Sequence, residues 1–528
     1  MKTKVKYILA LVIGAQLLNS CKKDLDVNFQ ERILVDNYYK TPSDALAALV
    51  SVYDRFGFQD GGLYDKVAIM DVAGDDQLAG GGNATDINAL QVVSNYTLTP
   101  AIGPQTYLWN KGYAGIYRAN ILLSRIDAIQ MDATVKARYT AEAKALRALF
   151  YFDLVRFFKN IPLLTAEVPV SEMYNVTQVP QEDVYAFIEK ELVAAIPGLP
   201  NTVPAATEGG RLTKGAAQAL LGKVYLWEKK YQLAADQFAI VNGPTPGQAN
   251  PTYGYKLLPN FADLWKYANK FNTESILEIV HTGASNGGWS DAGASEGNLL
   301  NIITGPRAYS PNAGTGAPDY YSGYSFLVFT KAFFDFIHKD PRNFATVANL
   351  DSLEKSYAIG NYDGNGPAGS GNKRPGYTPG YNNTGYFLGK FIAQNSNKTT
   401  VGTNFDLNFS QDIYEIRLAD TYLLEAEALM DANAGVGTGS RAYQLLNAVR
   451  ARVGLNPVAV TQDNIEKERR LELAGEGHRW LDLIRWGKAA SVLAPKGFVA
   501  GKNEIFPIPI NELNNTKLLQ SKEWGGTK

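Results

Sequence analysis

The chain has 528 residues, 51 Lys and Arg against 52 Asp and Glu for a formal net charge of −1, with 45% hydrophobic and 20% charged residues. That balance fits a soluble globular chain with an ample core and excludes a disordered or fibrous one; it also argues against a nucleic-acid binder, which would carry a basic excess. One cysteine and three dispersed histidines (His281, His338, His478) exclude an internal disulfide, a cysteine zinc cluster and a CxxC redox pair, make a His-built metal site a poor reading, and leave no cofactor expected.

At the N-terminus Lys2, Lys4 and Lys6 form a positive region, followed by an apolar run from Tyr7 to Leu18. The run is too short for a membrane-spanning helix of about 20 residues and reads as a secretory signal. It ends in Leu18-Asn19-Ser20-Cys21, which resembles the bacterial lipobox. Residues 1–20 are therefore expected to be a lipoprotein signal peptide, and residues 21–40 the lipidated Cys21 and its tether. Several acyl chains on Cys21 would hold firmly where one would not. Loss of three lysines with the signal takes the mature charge to −4.

Residues 41–270 read as an N-terminal helical scaffold, with apolar residues at three- and four-residue spacing. The clearest helix is 139–158, where Leu146, Leu149, Phe150, Leu154 and Phe157 share a face and Asn160 and Pro162 provide the stop. Farther on, Leu221-Gly222, Tyr225, Ala234, Phe238 and Pro246 follow tetratricopeptide spacing. Gly222 and Ala234 would let two antiparallel helices approach, while Tyr225 and Phe238 fill the gap between them. Units of this kind cannot bury their apolar faces alone, so further helix pairs should stack beside them.

In residues 271–410 the composition shifts, with 19 of the 49 glycines falling there. Helical periodicity fades, a short strand is expected at 275–281, and irregular segments of this length tend to carry function. Residues 411–528 return to helix. Tyr422, Ala426 and Leu429, then Ala442, Leu446 and Val449, form a degenerate relative of the repeat across the glycine-rich turn at 435–439.

Six blocks carry a family resemblance: residues 107–121 (YLWNKGYAGIYRANI), 141–164 (AEAKALRALFYFDLVRFFKNIPLL), 213–225 (TKGAAQALLGKVY), 414–429 (YEIRLADTYLLEAEAL), 465–487 (IEKERRLELAGEGHRWLDLIRWG) and 506–513 (FPIPINEL). In this order they resemble the SusD/RagB family of nutrient-binding outer-membrane lipoproteins from Bacteroidetes. Residues 520–524 match the family's closing motif only loosely, and residues 271–410 match nothing nameable. The resemblance implies a mainly α fold: a tetratricopeptide-like α-α superhelical scaffold of four hairpins, with a loop-rich subdomain containing a few short strands. It also implies capture of nutrient oligomers, usually glycans, at the cell surface, by a protein held to the outer membrane by its lipid anchor. The implied partner is a SusC-like TonB-dependent outer-membrane transporter.

In residues 465–487 Glu466 with Arg470, Arg479 with Asp482, and Asp482 with Arg485 stand at helical pairing distance, so Glu472, Glu476 and His478 read as architecture rather than catalysis. Residues 283–287 and 293–297 both match G-x-S-x-G, but nothing after Ser285 can open the helix a nucleophile elbow requires. Asn361, Asp363, Asn365 and Gly366 resemble the start of a calcium loop, but Asn372 stands where the terminal Glu belongs, so a turn is the better reading.

Candidate ligand residues are the loop aromatics Trp289, Tyr309, Tyr320, Tyr321, Tyr324, Tyr377 and Tyr381. Sugars offer apolar C–H faces and hydroxyls, which suit amphipathic rings beside amides and carboxylates. Many of these tyrosines should pin loops to the scaffold, with at least two contacting ligand. The resemblance adds the loop before residue 107, which offers Asp75, Asp76, Gln77, Asn83 and Tyr96, whereas Trp109 reads as packing. The expected function is oligosaccharide capture and delivery to the transporter without catalysis. Alternatives are a binder of peptides or other nutrient oligomers, a scaffold that binds proteins, or a surface glycoside hydrolase. For the last, Asp75 and Asp76 are a poor pair, since adjacent strand residues face opposite ways.

Overall fold

The computed structural model describes residues 39–284, 289, 296–310, 317–357, 376–400 and 404–527. The lipobox, both G-x-S-x-G serines and the calcium-like loop lie outside the described residues. Helix α1 (Pro42–Gly57) opens on a capping box, in which the Thr41 side chain accepts from the Asp44 N–H and the Asp44 carboxylate accepts from the Thr41 N–H. Helix α2 (Lys66–Ala73) is capped by Asp65, and a turn then leads into strand β1 (Gln77–Gly80).

Helices α3 (Gln105–Arg125) and α4 (Ala133–Phe158) pack against each other, and α4 also packs on α1 and on α5 (Gln181–Ala195). Helix α4 begins six residues before the periodicity predicts, because the Asp132 side chain accepts from the Thr134 and Val135 N–H groups. From Ala145 to Phe158 nearly every side chain is buried. The helix is therefore the axis of the N-terminal scaffold, not an amphipathic cover.

The tetratricopeptide reading holds at atomic detail in α6 (Lys214–Trp227) and α7 (Tyr231–Asn242). Ala234 and Phe238 are buried, and a Cβ on Gly222 would lie 2.8 Å from the Phe238 ring. The stack continues from α7 onto α8 (Leu418–Asp431) and then α9 (Arg441–Arg452), so the degenerate repeat is the next hairpin.

Strands come in antiparallel pairs. β1 joins β3 (Phe326–Phe329), β2 (Ser275–Ile279) joins β6 (Ile413–Arg417), and β4 (Val347–Asn349) joins β5 (Tyr386–Leu388). Two of these pairs stitch the glycine-rich region onto the helical scaffold, β2–β6 where the region begins and ends and β1–β3 at its middle.

Helices α10 (Gln462–Glu472) and α11 (Arg479–Arg485) depart from the pairing expected of them. Asp482 and Arg485 do meet, at 3.0 Å. Arg470 and Arg479 instead reach Asp75 and Asp76, and Glu466 takes Lys488. These helices are buried under the scaffold, where each charge needs a close partner irrespective of its chain position. Arg417 donates to Glu472 at 2.6 Å and to Glu476 at 2.7 Å. Burial would raise Glu472, but Arg452, Arg417 and Arg342 outweigh it and hold the carboxyl well below its usual range. The block is architecture.

Candidate ligand-binding site

Antiparallel pairing of Gly80 with Phe326 sets the turn at residues 81–86 beside residues 321–325. Close approach here needs glycine. Gly80 and Gly81 have φ of 73° and 89°, and Gly81 N–H donates to Ser325 O at 2.9 Å. A third segment joins where Tyr381 N–H donates to Gly81 O at 2.7 Å, and a Cβ on Gly380 would lie 2.5 Å from that oxygen. The chain around Tyr321 is held by its own N–H, which donates to Ala393 O at 2.7 Å.

On this platform lies an aromatic strip. Trp289 is 46% exposed, and its ring meets Tyr324 edge-on at 6.2 Å and 63°. The Arg307 guanidinium faces the Tyr324 ring at 5.7 Å and reaches Asp86 Oδ2 at 3.5 Å. The Tyr321 hydroxyl donates to the Asp406 carboxylate, and its ring packs on Phe409 at 5.3 Å. The Lys398 ammonium sits 5.1 Å from the Tyr321 ring and 5.0 Å from Phe405. Burial, then the Asp406 carboxylate, push the Tyr321 phenol above its ordinary range, so it stays a protonated donor. The strip thus offers ring faces flanked by two cations and two carboxylates, which suits a ligand with apolar faces and many hydroxyls.

Asn83 stands exposed at the tip of the 81–86 turn, its Oδ1 accepting from Thr85 N–H at 2.9 Å and Thr85 Oγ1 at 2.8 Å. Of the predicted residues, the fold brings together Asn83, Trp289, Tyr321 and Tyr324.

Tyr381 lies on the Gly81 turn through its backbone, and the fold sends the rest elsewhere. Tyr309 and Tyr377 are core residues of a small separate cluster against which Tyr320 packs. Tyr309 meets Tyr320 at 5.5 Å and donates to Pro318 O at 3.0 Å, while Tyr377, 2% exposed, sits edge-on to Phe387 at 5.4 Å. Asp75 and Asp76 are spent on arginines, with Arg479 Nε 2.7 Å from Asp75 Oδ1 and Arg470 Nε 2.9 Å from Asp76 Oδ1. The Tyr96 hydroxyl donates to Ala73 O and its ring meets Phe498 at 5.2 Å. Asp76, Tyr309 and Tyr377 are enclosed by the fold and take internal partners, while Asp75, Tyr96 and Tyr320 are partly buried and paired or packed within it.

Sequence reasoning missed Asp86, Arg307, Lys398 and Asp406. One signal was available for Arg307, the only Lys or Arg between Lys270 and Lys331. Isolated acidic residues in loops carry no such mark.

Two family models match the chain: one described as the SusD family over residues 329–498, the other as "Starch-binding associating with outer membrane" over residues 69–226. Among similar solved structures is a "Laminarin binding SusD-like protein", 46% identical, with a TM-score of 0.84, covering 92% of this chain and 99% of that one. Surface glycan-binding protein A from Bacteroides thetaiotaomicron, in complex with laminarihexaose, is 26% identical with a TM-score of 0.77, covering 91% and 99%. A curated relative, SusD-like protein P25 of Formosa agariphila, is 24% identical over 98% of both chains.

Proposed function

The chain belongs to the SusD family, and from that premise we propose that it binds a laminarin-type glucan at the cell surface and passes it on unaltered. The observation that carries the reading is the strip of Trp289, Tyr324 and Tyr321, flanked by Asp86, Arg307, Asp406 and Lys398. Sugar C–H faces would lie on the rings, with hydroxyls reaching the charged groups at the edges. The 46% identity to a laminarin-binding relative supports the choice of glucan.

The same reading includes acylation at Cys21 in the outer membrane and delivery to a TonB-dependent transporter. Lipobox spacing supports the first, and family membership the second. The names of the relatives as binding proteins support capture without catalysis.

Calorimetry of the mature protein with laminarihexaose tests the reading. Binding is expected in the wild type and lost in Trp289→Ala. Reducing ends released from laminarin would make the protein a hydrolase instead, and failure of a large barrel protein to co-purify from membranes would remove the delivery step.

A further inference from the structure

We infer that Arg307 is the positioning residue of the strip: by joining Asp86 to Tyr324 it fixes the turn carrying Asn83 against the ring on which the glycan stacks. This inference rests on the glycan-binding reading above.

Arg307 touches three segments that meet beneath the strip: the 81–86 turn, residues 324–325 and Thr378. Its Nη2 lies 3.5 Å from Asp86 Oδ2 and donates to Tyr324 O at 3.2 Å. Its backbone N–H donates to Ser325 Oγ at 2.9 Å, and its carbonyl accepts from Thr378 N–H at 2.7 Å. Asp86 Oδ2 accepts in turn from Gly82 N–H at 2.7 Å, so the guanidinium acts on the whole 81–86 turn through one carboxylate. Both contacts are made by Nη2 alone, at the end of a planar group; a lysine, shorter and with a freely rotating ammonium, would restore them only in part.

The backbone carries an independent mark of the same trio. The residues directly following Asp86, Arg307 and Tyr324 are Ile87, Ala308 and Ser325, with φ of 42°, 51° and 60°. Left-handed backbone is uncommon outside glycine and an outlier for a β-branched residue. Such strain persists only where the surroundings over-determine it, and it gathers at ligand clamps.

Arg307 itself is imperfectly satisfied. Its Nε is buried and has no hydrogen-bond partner among the described residues.

The test is calorimetry with laminarihexaose on the mature chain, with thermal unfolding of each variant alongside. Arg307→Ala is expected to bind about tenfold more weakly, and Arg307→Lys to recover only part of the loss. Asp86→Ala should weaken binding too, yet add less than about twofold in the Arg307→Ala background, because the two act as one unit. If Trp289→Ala abolishes binding while Arg307→Ala binds like the wild type, the glycan reading stands and the positioning role is overturned. Additive losses at 86 and 307 would likewise overturn it. No binding by the wild type removes both the reading and the inference. Should Arg307→Ala misfold, Asp86→Ala and Arg307→Lys carry the comparison, and wild-type affinity in both would sink the proposal.

Discussion

Arg470 Nε donates to Asp76 Oδ1 at 2.9 Å across 394 positions of chain. Asp75 takes Arg479 Nε at 2.7 Å and Arg470 Nη2 at 3.0 Å. Lys496 Nζ closes the arrangement by donating to Val72 O at 2.6 Å and Gln77 O at 3.2 Å. The turn between α2 and β1 is therefore held by the C-terminal scaffold, and β1 in turn holds the strip.

Breaking this lock should cost stability rather than recognition. Removing one partner of a buried pair leaves a charge uncompensated, at about 3–5 kcal/mol. Asp76→Ala is expected to lower the urea midpoint by a corresponding amount. Well below its melting temperature, it should bind laminarihexaose within about threefold of the wild type. A loss as large as that of Trp289→Ala would return Asp76 to the ligand site.

Two of the predicted tyrosines should separate cleanly. Tyr377→Ala empties a core position, a change of the kind that costs about 3–5 kcal/mol, and should leave affinity unchanged. Tyr324→Ala lies on the strip beside Trp289 and should do the reverse, with stability nearly kept and affinity reduced at least about tenfold. Melting curves and calorimetry on the two variants decide it, and matching behaviour would refute the division between pinning and binding rings.

Gly222 tests the helical stack. Alanine there gains about 1 kcal/mol of helix propensity, but its Cβ would lie 2.8 Å from the Phe238 ring. Overpacking of a tight core costs about 1–3 kcal/mol, so Gly222→Ala should be net destabilising. Adding Phe238→Leu should return part of the loss; if it deepens the loss, the contact does not limit helix approach.

A pH dependence follows from Glu278. Burial, reinforced by the neighbouring Asp412 charge, pushes its carboxyl from 4.5 up to about 8. Both Glu278 oxygens accept from Phe271 N–H, at 3.0 and 3.1 Å, and Asp412 Oδ1 holds Lys270 Nζ at 2.6 Å. The folded chain thus binds this proton more tightly than the unfolded chain. Its contribution to stability is full below pH 4.5, falls as pH rises, and is gone above about 8, at no more than about 1.4 kcal/mol per pH unit. Burial lowers His281 from 6.5 to about 3, so below about pH 6.5 the unfolded chain takes up a proton the folded chain refuses, a slope of opposite sign that is common to the wild type and Glu278→Gln. The difference in urea midpoint between the wild type and Glu278→Gln should therefore change between pH 5 and 9; parallel curves would rule the effect out.

Much of the scaffold was legible because helix periodicity and tetratricopeptide spacing are local. Gly222, Ala234 and Phe238 sit where the repeat demands them. The strip was legible only as a composition, an excess of glycine and tyrosine in residues 271–410. Arg470 could be seen to face one side of its helix, but a partner 394 positions away leaves no trace in spacing.

Local pattern was enough for the family, the helical scaffold and the region that holds the aromatics. Where each ring lies came only with the tertiary fold. Tyr320 and Tyr321 are neighbours, yet extended backbone turns successive side chains to opposite faces. Tyr320 packs beside Tyr309, and Tyr321 faces Asp406 and Lys398. Composition cannot separate them, because the difference lies in what the rest of the chain places on either side.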